Sequence, residues 1–207
     1  MKKTIRLKNS ILLLTILYSL CFTANANKKD LSVFIDEYLS IKYNRSYKNY
    51  LFISIRQQKL FHIIDGSISE SYPISTAKNG AGNEMNSGKT PTGLHVIEKK
   101  VGSNLPNGAI LNERVFDGKI ASIYQDSTNL EKDEITSRIL WLNGQEEGYN
   151  RGGNVDSYYR YIYIHGTPEE GLIGQPVSHG CIRMLNEDVI RLYNSVHINT
   201  PVLILNF

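Results

Sequence analysis

From Tyr50 onward, the sequence consists of short β-branched and aromatic runs separated by turn residues. Residues 51–55 and 60–64 are two such runs, and Asp65-Gly66 separates the second run from a third at 68–75. Runs of this length and composition are typical of strands, and their close spacing predicts two successive hairpins. We therefore expect an antiparallel start to a sheet. Further strands are predicted at 94–98, 158–164 and 202–205.

Two segments outside these runs have apolar residues at helical spacing. Residues 30–41 have the pattern of a short amphipathic helix. Residues 131–142 carry Ile135, Ile139 and Leu142 at the same spacing, which predicts a second helix that ends at Asn143-Gly144.

A third helix is predicted to begin with Asn186 as its N-cap. Asparagine is a preferred N-cap residue, and Glu187 and Asp188 would lie in the first turn, where acidic side chains favour the helix dipole. Pro201 ends the segment. Many short strands with few helices predict a β-rich α+β domain, a sandwich or partial barrel with a few short helices.

The first 26 residues have the pattern of a secretory signal peptide. Four basic residues precede an almost wholly apolar stretch at 11–22, and Ala24-Asn25-Ala26 supplies a small-x-small cleavage site. An uncleaved membrane anchor is the alternative, but the twelve-residue apolar stretch is short for a bilayer span. We expect cleavage after Ala26, export to the periplasm or cell envelope, and no stable membrane insertion afterwards.

Cleavage would change both the charge and the cysteine content. The chain has 23 basic and 20 acidic residues; the removed segment holds four basic residues and no acidic one, so 19 − 20 leaves −1. With no basic excess, a nucleic-acid partner is not expected. Cys21 would be removed, leaving Cys181 alone. Exported proteins usually pair their cysteines, so a single one predicts an intermolecular disulfide or a reactive thiol.

The remaining 181 residues are enough for one domain with its own core. We expect an N-terminal helix and connector at 27–49, followed by a catalytic domain at 50–207.

Two histidines are candidate bases for the Cys181 thiol. A free thiol with a pKa near 8.5 is mostly protonated at neutral pH, and the thiolate is the nucleophile. His179 shares a face with Cys181 if the backbone is extended, and His165 reaches the same place if its strand is adjacent. Gly180 would let amide groups near Cys181 point at a developing oxyanion.

The same residues leave two other interpretations open. His165, His179 and Cys181 would make a zinc site with water as the fourth ligand, as in a zinc-dependent hydrolase. The His-x-Cys spacing is, however, unusual for structural zinc sites. A buried structural cysteine is the other interpretation, although His-Gly-Cys on a loop is poor core material.

Two separate motifs resemble those of the L,D-transpeptidase catalytic domain of the YkuD type. They are the upstream segment 88–93 (GKTPTG), and His165-Gly166-Thr167 followed by 178–183 (SHGCIR). The resemblance covers about residues 50–207. It implies a β-sandwich-like catalytic domain in which Cys181 is the nucleophile and His165 the proton acceptor and donor.

The resemblance also implies roles for the neighbouring residues. The carbonyl of Gly166 would orient the imidazole of His165. Ser178, His179 and Gly180 would shape the site, with backbone amides near Cys181 holding the oxyanion. Arg183 would support the loop or the substrate carboxylate, and a surface ion pair is the alternative for that residue.

The implied reaction is two-step covalent catalysis on the peptide stems of peptidoglycan. Cys181 would attack the carbonyl of the L-centre of meso-diaminopimelate in a tetrapeptide stem and release D-Ala. An amine of another stem would then capture the thioester as a 3→3 cross-link, whereas capture by water would make an L,D-carboxypeptidase. No metal and no organic cofactor are implied. A non-catalytic wall-binding protein that retains the fold is a further alternative.

The segment 143–160 lies outside these motifs. It is rich in tyrosine, and we predict that Tyr149, Tyr158 and Tyr159 cap the substrate groove. An ordinary solvated loop is the alternative.

Overall fold

The computed structural model describes residues 30–130 and 133–207. The signal peptide predicted over residues 1–26 lies outside the described residues. Within the described ranges, no helix combines the length and the apolarity needed to cross a membrane.

The first of two compact units contains the described residues up to Lys48 together with Ile63–Ile68. Residues 30–43 form helix α1, over the segment where the apolar spacing predicts a helix. Ile35 and Leu39, one turn apart, are buried. The amide of Asp65 donates a 2.7 Å hydrogen bond to the carbonyl of Lys48 within this unit.

The second unit, residues 49–62 and 69–207, is dominated by a ten-stranded sheet. The elements are β1 (Asn49–Ser54), β2 (Lys59–Ile64), β3 (Ser67–Ser75), β4 (Gly93–Val101), β5 (Ala109–Asn112), β6 (Val115–Ile120), β7 (Thr136–Gly144), β8 (Tyr163–Gly166), β9 (Ile182–Met184), helix α2 (Asn186–Ser195) and β10 (Pro201–Leu205), with short 3-10 turns at Gly153–Val155 and Glu170–Leu172. The predicted β-rich α+β class is confirmed.

The sheet closes on itself through β4. The hydrogen-bonded order is β4-β10-β1-β2-β3-β9-β8-β7-β5-β6, and β4 also pairs with β7, so eight strands form a continuous ring. The C-terminal strand β10 lies between β1, to which it is parallel, and β4, to which it is antiparallel. Strands β8 and β9 are parallel neighbours.

Strands β7, β8 and β9 bury side chains on both faces. Leu140, Ile164 and Ile182 belong to the main core. The alternate residues Ile139 and Tyr163 join a second cluster. Because side chains alternate along a strand, residues two apart share a face. The second cluster includes Cys181, so this outer face of the three strands carries the predicted nucleophile.

The helix predicted at 131–142 is wrong. Thr136–Gly144 is strand β7, in which every residue except Asn143 is buried. A strand covered on both faces loses the apolar–polar alternation that identifies most strands, and its continuous apolar run imitates a buried helix.

The strand predicted at 158–164 begins only at Tyr163. Residues 158–161 instead form a turn, in which Tyr161 has φ of 57°. The side chain of Asp156 starts this turn by accepting a hydrogen bond from the amide of Tyr159.

The predicted N-cap of α2 is also wrong by one residue. Leu185 occupies the N-cap position, and Asn186 is the first helical residue, with Glu187 and Asp188 in the first turn as expected. The amide group of Asn186 donates to the carbonyl of Thr167, and its side-chain oxygen accepts from hydroxyls of β7. Asn186 therefore connects the start of α2 to strand β7 and to the segment after β8.

Candidate active site

His165 is a fully buried residue of β8 whose ring is held by the next residue. Its Nδ1 lies 2.7 Å from the carbonyl oxygen of Gly166. A carbonyl only accepts, so Nδ1 carries the proton and Nε2 keeps its lone pair. Among the described residues, Nε2 has no hydrogen-bond partner. Burial lowers the pKa of His165, partly opposed by the carboxylate of Asp133 and the bond to Gly166. At neutral pH the ring is therefore a neutral imidazole with Nε2 available as a base.

Cys181 lies immediately before β9 and is held by the turn and strand opposite. Its Sγ accepts a hydrogen bond from the amide of Tyr163 at 3.4 Å and donates to the carbonyl of Tyr161 at 3.3 Å. Burial raises the pKa of the thiol to about 12, and the carboxylate of Asp133 acts in the same direction. The thiol is therefore protonated at rest and needs a base to react.

The parallel register of β8 and β9 places the thiol and the imidazole on one face. His165 is opposite Arg183, and Ile164 is opposite Ile182. Since alternate residues share a face, Cys181 and Arg183 project on the same side as His165. The adjacent strand that a role for His165 requires is therefore present.

The segment before Cys181 is fixed by hydroxyl groups. The hydroxyl of Ser178 donates to the carbonyl of Cys181 at 2.6 Å and accepts from the amide of Gly180 at 3.3 Å. The hydroxyl of Thr90, from the upstream motif, donates to the carbonyl of Gly180 at 3.0 Å. The two sequence motifs therefore meet at the cysteine.

Gly180 requires a glycine. Its φ of 140° lies in the region that side chains disfavour, and an added Cβ would lie 3.4 Å from the carbonyl oxygen of Lys89. This backbone path brings Cys181 beside Tyr163.

His179 takes a different position from that of a catalytic base. Its side chain is 73% exposed, and its Nδ1 lies 3.3 Å from Oδ2 of Asp133. In the described ranges, no three His, Cys, Asp or Glu side chains come together in a way that could hold a metal ion. His165, His179 and Cys181 are therefore not brought together as a ligand set.

Arg183 is buried, with 2% of its side chain exposed, so the surface ion pair considered for it is wrong. Its Nη1 lies 2.5 Å from Oε2 of Glu169, and its Nη2 lies 2.9 Å from Oδ1 of Asp133. A buried guanidinium needs such counter-charges. The sequence reasoning missed both acids, because partners brought together by tertiary folding follow no local spacing.

The three predicted tyrosines do not share one site. The hydroxyl of Tyr149 lies 2.7 Å from that of Thr92, beside a cavity of about 450 Å³. Tyr158 stacks on Trp141 with ring centroids 4.2 Å apart. Tyr159 lines a second cavity of about 410 Å³. Of these two cavities, the second, which is also lined by His179, borders the cysteine segment.

Arg160, which the sequence reasoning did not single out as a site residue, organises one wall of this second cavity. Its guanidinium donates to the carbonyls of Asn83 and Lys89 at 2.9 and 2.6 Å. The turn at 158–161 is thereby tied to the glycine-rich loop that carries Met85 and Gly88. In the sequence, Arg160 stands out as an arginine between tyrosines. Its partners, however, are backbone atoms, which no sequence pattern identifies.

A comparison with protein-family models matches residues 48–204 to the YkuD family, the L,D-transpeptidase catalytic domain. The chain belongs to this family. The resemblance proposed from the two motifs is thus confirmed, and the family match ends within the last strand, β10.

Curated relatives match over shorter segments. "Putative L,D-transpeptidase YqjB" of Bacillus subtilis (strain 168) is 49% identical over 45 residues, which are 22% of this chain and 26% of that protein. "Putative L,D-transpeptidase YkuD" of the same organism is 43% identical over 60 residues, 27% of this chain and 37% of that protein. The matched segments therefore span well under half of either relative.

Solved structures that match this chain include an L,D-transpeptidase from Mycobacterium smegmatis. It has 17% identity and a TM-score of 0.49, and the match covers 76% of this chain and 58% of that chain. An L,D-transpeptidase from Xylanimonas cellulosilytica has 20% identity and a TM-score of 0.48, with 78% of this chain and 62% of that chain covered.

Proposed function

We propose that this chain is an exported cysteine L,D-transpeptidase that acts on the peptide stems of peptidoglycan in cell-wall biogenesis. The observation that supports this most is the pairing of a protonated thiol with an unoccupied Nε2 on one face of β8 and β9. In a member of this family, that arrangement fits Cys181 as nucleophile and His165 as base.

In the first step, Nε2 of His165 takes the proton from Sγ of Cys181, and the sulfur attacks the carbonyl of the L-centre of meso-diaminopimelate in a tetrapeptide stem. Backbone amides near Cys181 stabilise the oxyanion. His165 then returns its proton to the amine of D-Ala, which leaves, and a thioester remains on Cys181.

In the second step, His165 accepts a proton from the attacking amine of another stem, and the C–N bond forms as the C–S bond of the thioester breaks. His165 returns the proton to the departing sulfur of Cys181, and the new amide is a 3→3 cross-link. If water takes the place of the amine, the product is a tripeptide stem and the enzyme is an L,D-carboxypeptidase. The first step is the same in both cases, so Cys181 and His165 keep their roles.

The decisive experiment incubates the purified protein with defined tetrapeptide muropeptides and identifies the products by mass spectrometry. We expect D-Ala release and cross-linked dimers; tripeptides alone would assign the carboxypeptidase reaction. Full turnover by a Cys181→Ala variant would refute the cysteine mechanism. Stoichiometric zinc in the fresh protein, with activity lost to a chelator, would instead assign a zinc-dependent hydrolase.

Export is part of the proposal and has its own test. Cleavage after Ala26 would give a mature protein that starts at Asn27. N-terminal sequencing of the protein recovered from the cell envelope should show this residue, whereas a retained residue 1 in that fraction would contradict cleavage.

A further inference from the structure

The carboxylate of Asp133 contacts residues on both sides of Cys181. Its Oδ2 lies 3.3 Å from Nδ1 of His179, two residues before the cysteine. Its Oδ1 lies 2.9 Å from Nη2 of Arg183, two residues after it. One side chain from the segment before β7 therefore spans the nucleophile segment.

Asp133, Arg183 and Glu169 form an ion-pair group that is largely removed from water. The side chains of Arg183 and Glu169 are each 2% exposed, and that of Asp133 is 20% exposed. Charges removed from water in this way are held firmly only when their partners are in place. Arg183 is also directly opposite His165 in the β8–β9 register, so its position bears on the base as well as on the nucleophile.

Buried polar atoms without a hydrogen-bond partner lie close together around Asp133 and Arg183. Among the described residues, three buried side-chain polar atoms lack a hydrogen-bond partner: Oδ1 of Asp133, Nε2 of His165 and Nε of Arg183. Oδ1 of Asp133 has the ion pair with Nη2 of Arg183, at 2.9 Å, as its contact. Buried polar atoms are normally satisfied, so a cluster of exceptions indicates a function other than stabilising the fold.

We propose that Asp133 is a positioning residue for the acylation of Cys181, which it serves by holding His179 and Arg183 in place on either side of the thiol. This inference rests on the proposed function for its substrate but not for its geometry. The thiol of Cys181 forms its hydrogen bonds with Tyr161 and Tyr163, and Asp133 acts through the two residues that it holds.

The charge of Asp133 affects the pH dependence of the acylation rate, which a purely structural residue would not change. The charged groups that act on His165 are Asp133, which raises its pKa, and Arg183, which lowers it. Those that act on Cys181 are Asp133, Arg183 and Arg160. Because the reaction needs a neutral His165, removal of the Asp133 charge moves the acidic limb of the acylation rate to lower pH.

The test compares Asp133→Asn, Asp133→Glu and the control Asp126→Asn in the full-length protein. Asp126 is exposed, and its carboxylate accepts a local bond from the amide of Thr128. Two rates are measured against pH: acylation of Cys181 by a carbapenem, and its alkylation by iodoacetamide, both followed by intact-protein mass. Melting temperature is recorded for each variant.

We expect Asp133→Asn to slow acylation by about tenfold to 100-fold, the range that misplacement of reacting groups produces. Its acidic limb should shift to lower pH. In Asp133→Glu the acidic limb of the acylation rate should lie at the wild-type pH, because the negative charge is kept. Only part of the acylation rate should be recovered, since the longer side chain displaces His179 and Arg183. Asp126→Asn should match the wild type.

Wild-type rates in both Asp133 variants would overturn the inference, and so would two equally slow variants with an unmoved acidic limb. If Asp133→Asn does not fold, Asp133→Glu decides: a slower rate supports the inference and a wild-type rate overturns it. Alkylation does not depend on the substrate. Failure to release D-Ala would therefore refute the proposed function. The alkylation rates of the variants would still show whether Asp133 positions the thiol.

Discussion

The imidazole of His165 donates from Nδ1 to the carbonyl oxygen of Gly166 across 2.7 Å, and this bond determines which ring nitrogen can react. With Nδ1 occupied as a donor, only Nε2 can accept a proton. The bond comes from the residue immediately after the histidine, so the tautomer is fixed by the local path of β8.

His165→Asn tests the base while keeping this bond, because the asparagine amide can replace Nδ1 as the donor to Gly166. We expect acylation of Cys181 by a carbapenem to slow by at least about 100-fold, the usual contribution of a general base. Intact-protein mass spectrometry gives the rate. The control His197→Asn changes an exposed histidine and should keep the wild-type rate. Unchanged acylation in the His165 variant would show that another group takes the thiol proton.

Arg183→Met tests the buried ion pairs. The substitution leaves Glu169 and Asp133 without their shared counter-charge, and breaking a buried pair in this way costs about 3–5 kcal/mol. Urea denaturation should show that loss in the free energy of unfolding. Arg151→Met is the matched control, since Arg151 pairs with Glu147 at the surface, where such a pair contributes less than about 1 kcal/mol. Equal losses in the two variants would contradict the importance of burial.

Gly180→Ala separates backbone strain from the geometry of the site. Gly118→Ala is the control, because Gly118 also has positive φ, at 83°, but an added Cβ there meets no atom within 4 Å. Both variants should lose about 1–3 kcal/mol of stability from the strained backbone. Only Gly180→Ala should also slow acylation, by about tenfold or more, since relief of the strain at φ of 140° would move the backbone that positions Cys181. A similar acylation rate in both variants would show that the backbone conformation of Gly180 does not position Cys181.

His95 predicts how stability depends on pH. Burial lowers its pKa to about 4, partly opposed by its bond to Gly93, whereas in the unfolded chain it titrates near 6.5. The unfolded state therefore binds the proton more tightly, so stability is full above pH 6.5 and is lost as pH falls toward 4. The loss at pH 4 amounts to about 3 kcal/mol.

The check is the change in the free energy of unfolding between pH 7 and pH 4. We expect this change to be smaller by about 3 kcal/mol in His95→Gln than in the wild type. Comparing two pH values cancels any packing defect that the substitution introduces. The exposed His197→Gln variant should keep the full pH dependence, and an equal pH dependence in His95→Gln would refute the assignment.

The sequence was most informative where chemistry and chain order coincide. Cys181 and His165 were found because each lies in a short motif, and the strands from Tyr50 were found because they are short and separated by turns. The family match confirms that reasoning at the level of the domain. The reaction and the residue roles remain proposals.

The sequence was least informative where tertiary contacts decide the outcome. Strand β7 was mistaken for a helix because its two covered faces leave no polar alternation. Asp133, just before that strand, was missed because tertiary folding brings it to His179 and Arg183, and such partners follow no local spacing. The partners of Arg160 are backbone carbonyls, which every residue has, so no pattern of side chains could have predicted them.

The place of β10 in the sheet has a consequence for how the chain is made. Leu51 pairs with Val202, 151 positions later in the sequence, and β10 also completes the edge of β4. Contacts of such long range make folding slow, because the loop must close before they contribute. During vectorial synthesis, the ring stays open until residues 201–205 have left the ribosome. Until then, β1 and β4 both expose an unpaired edge to which another chain could add.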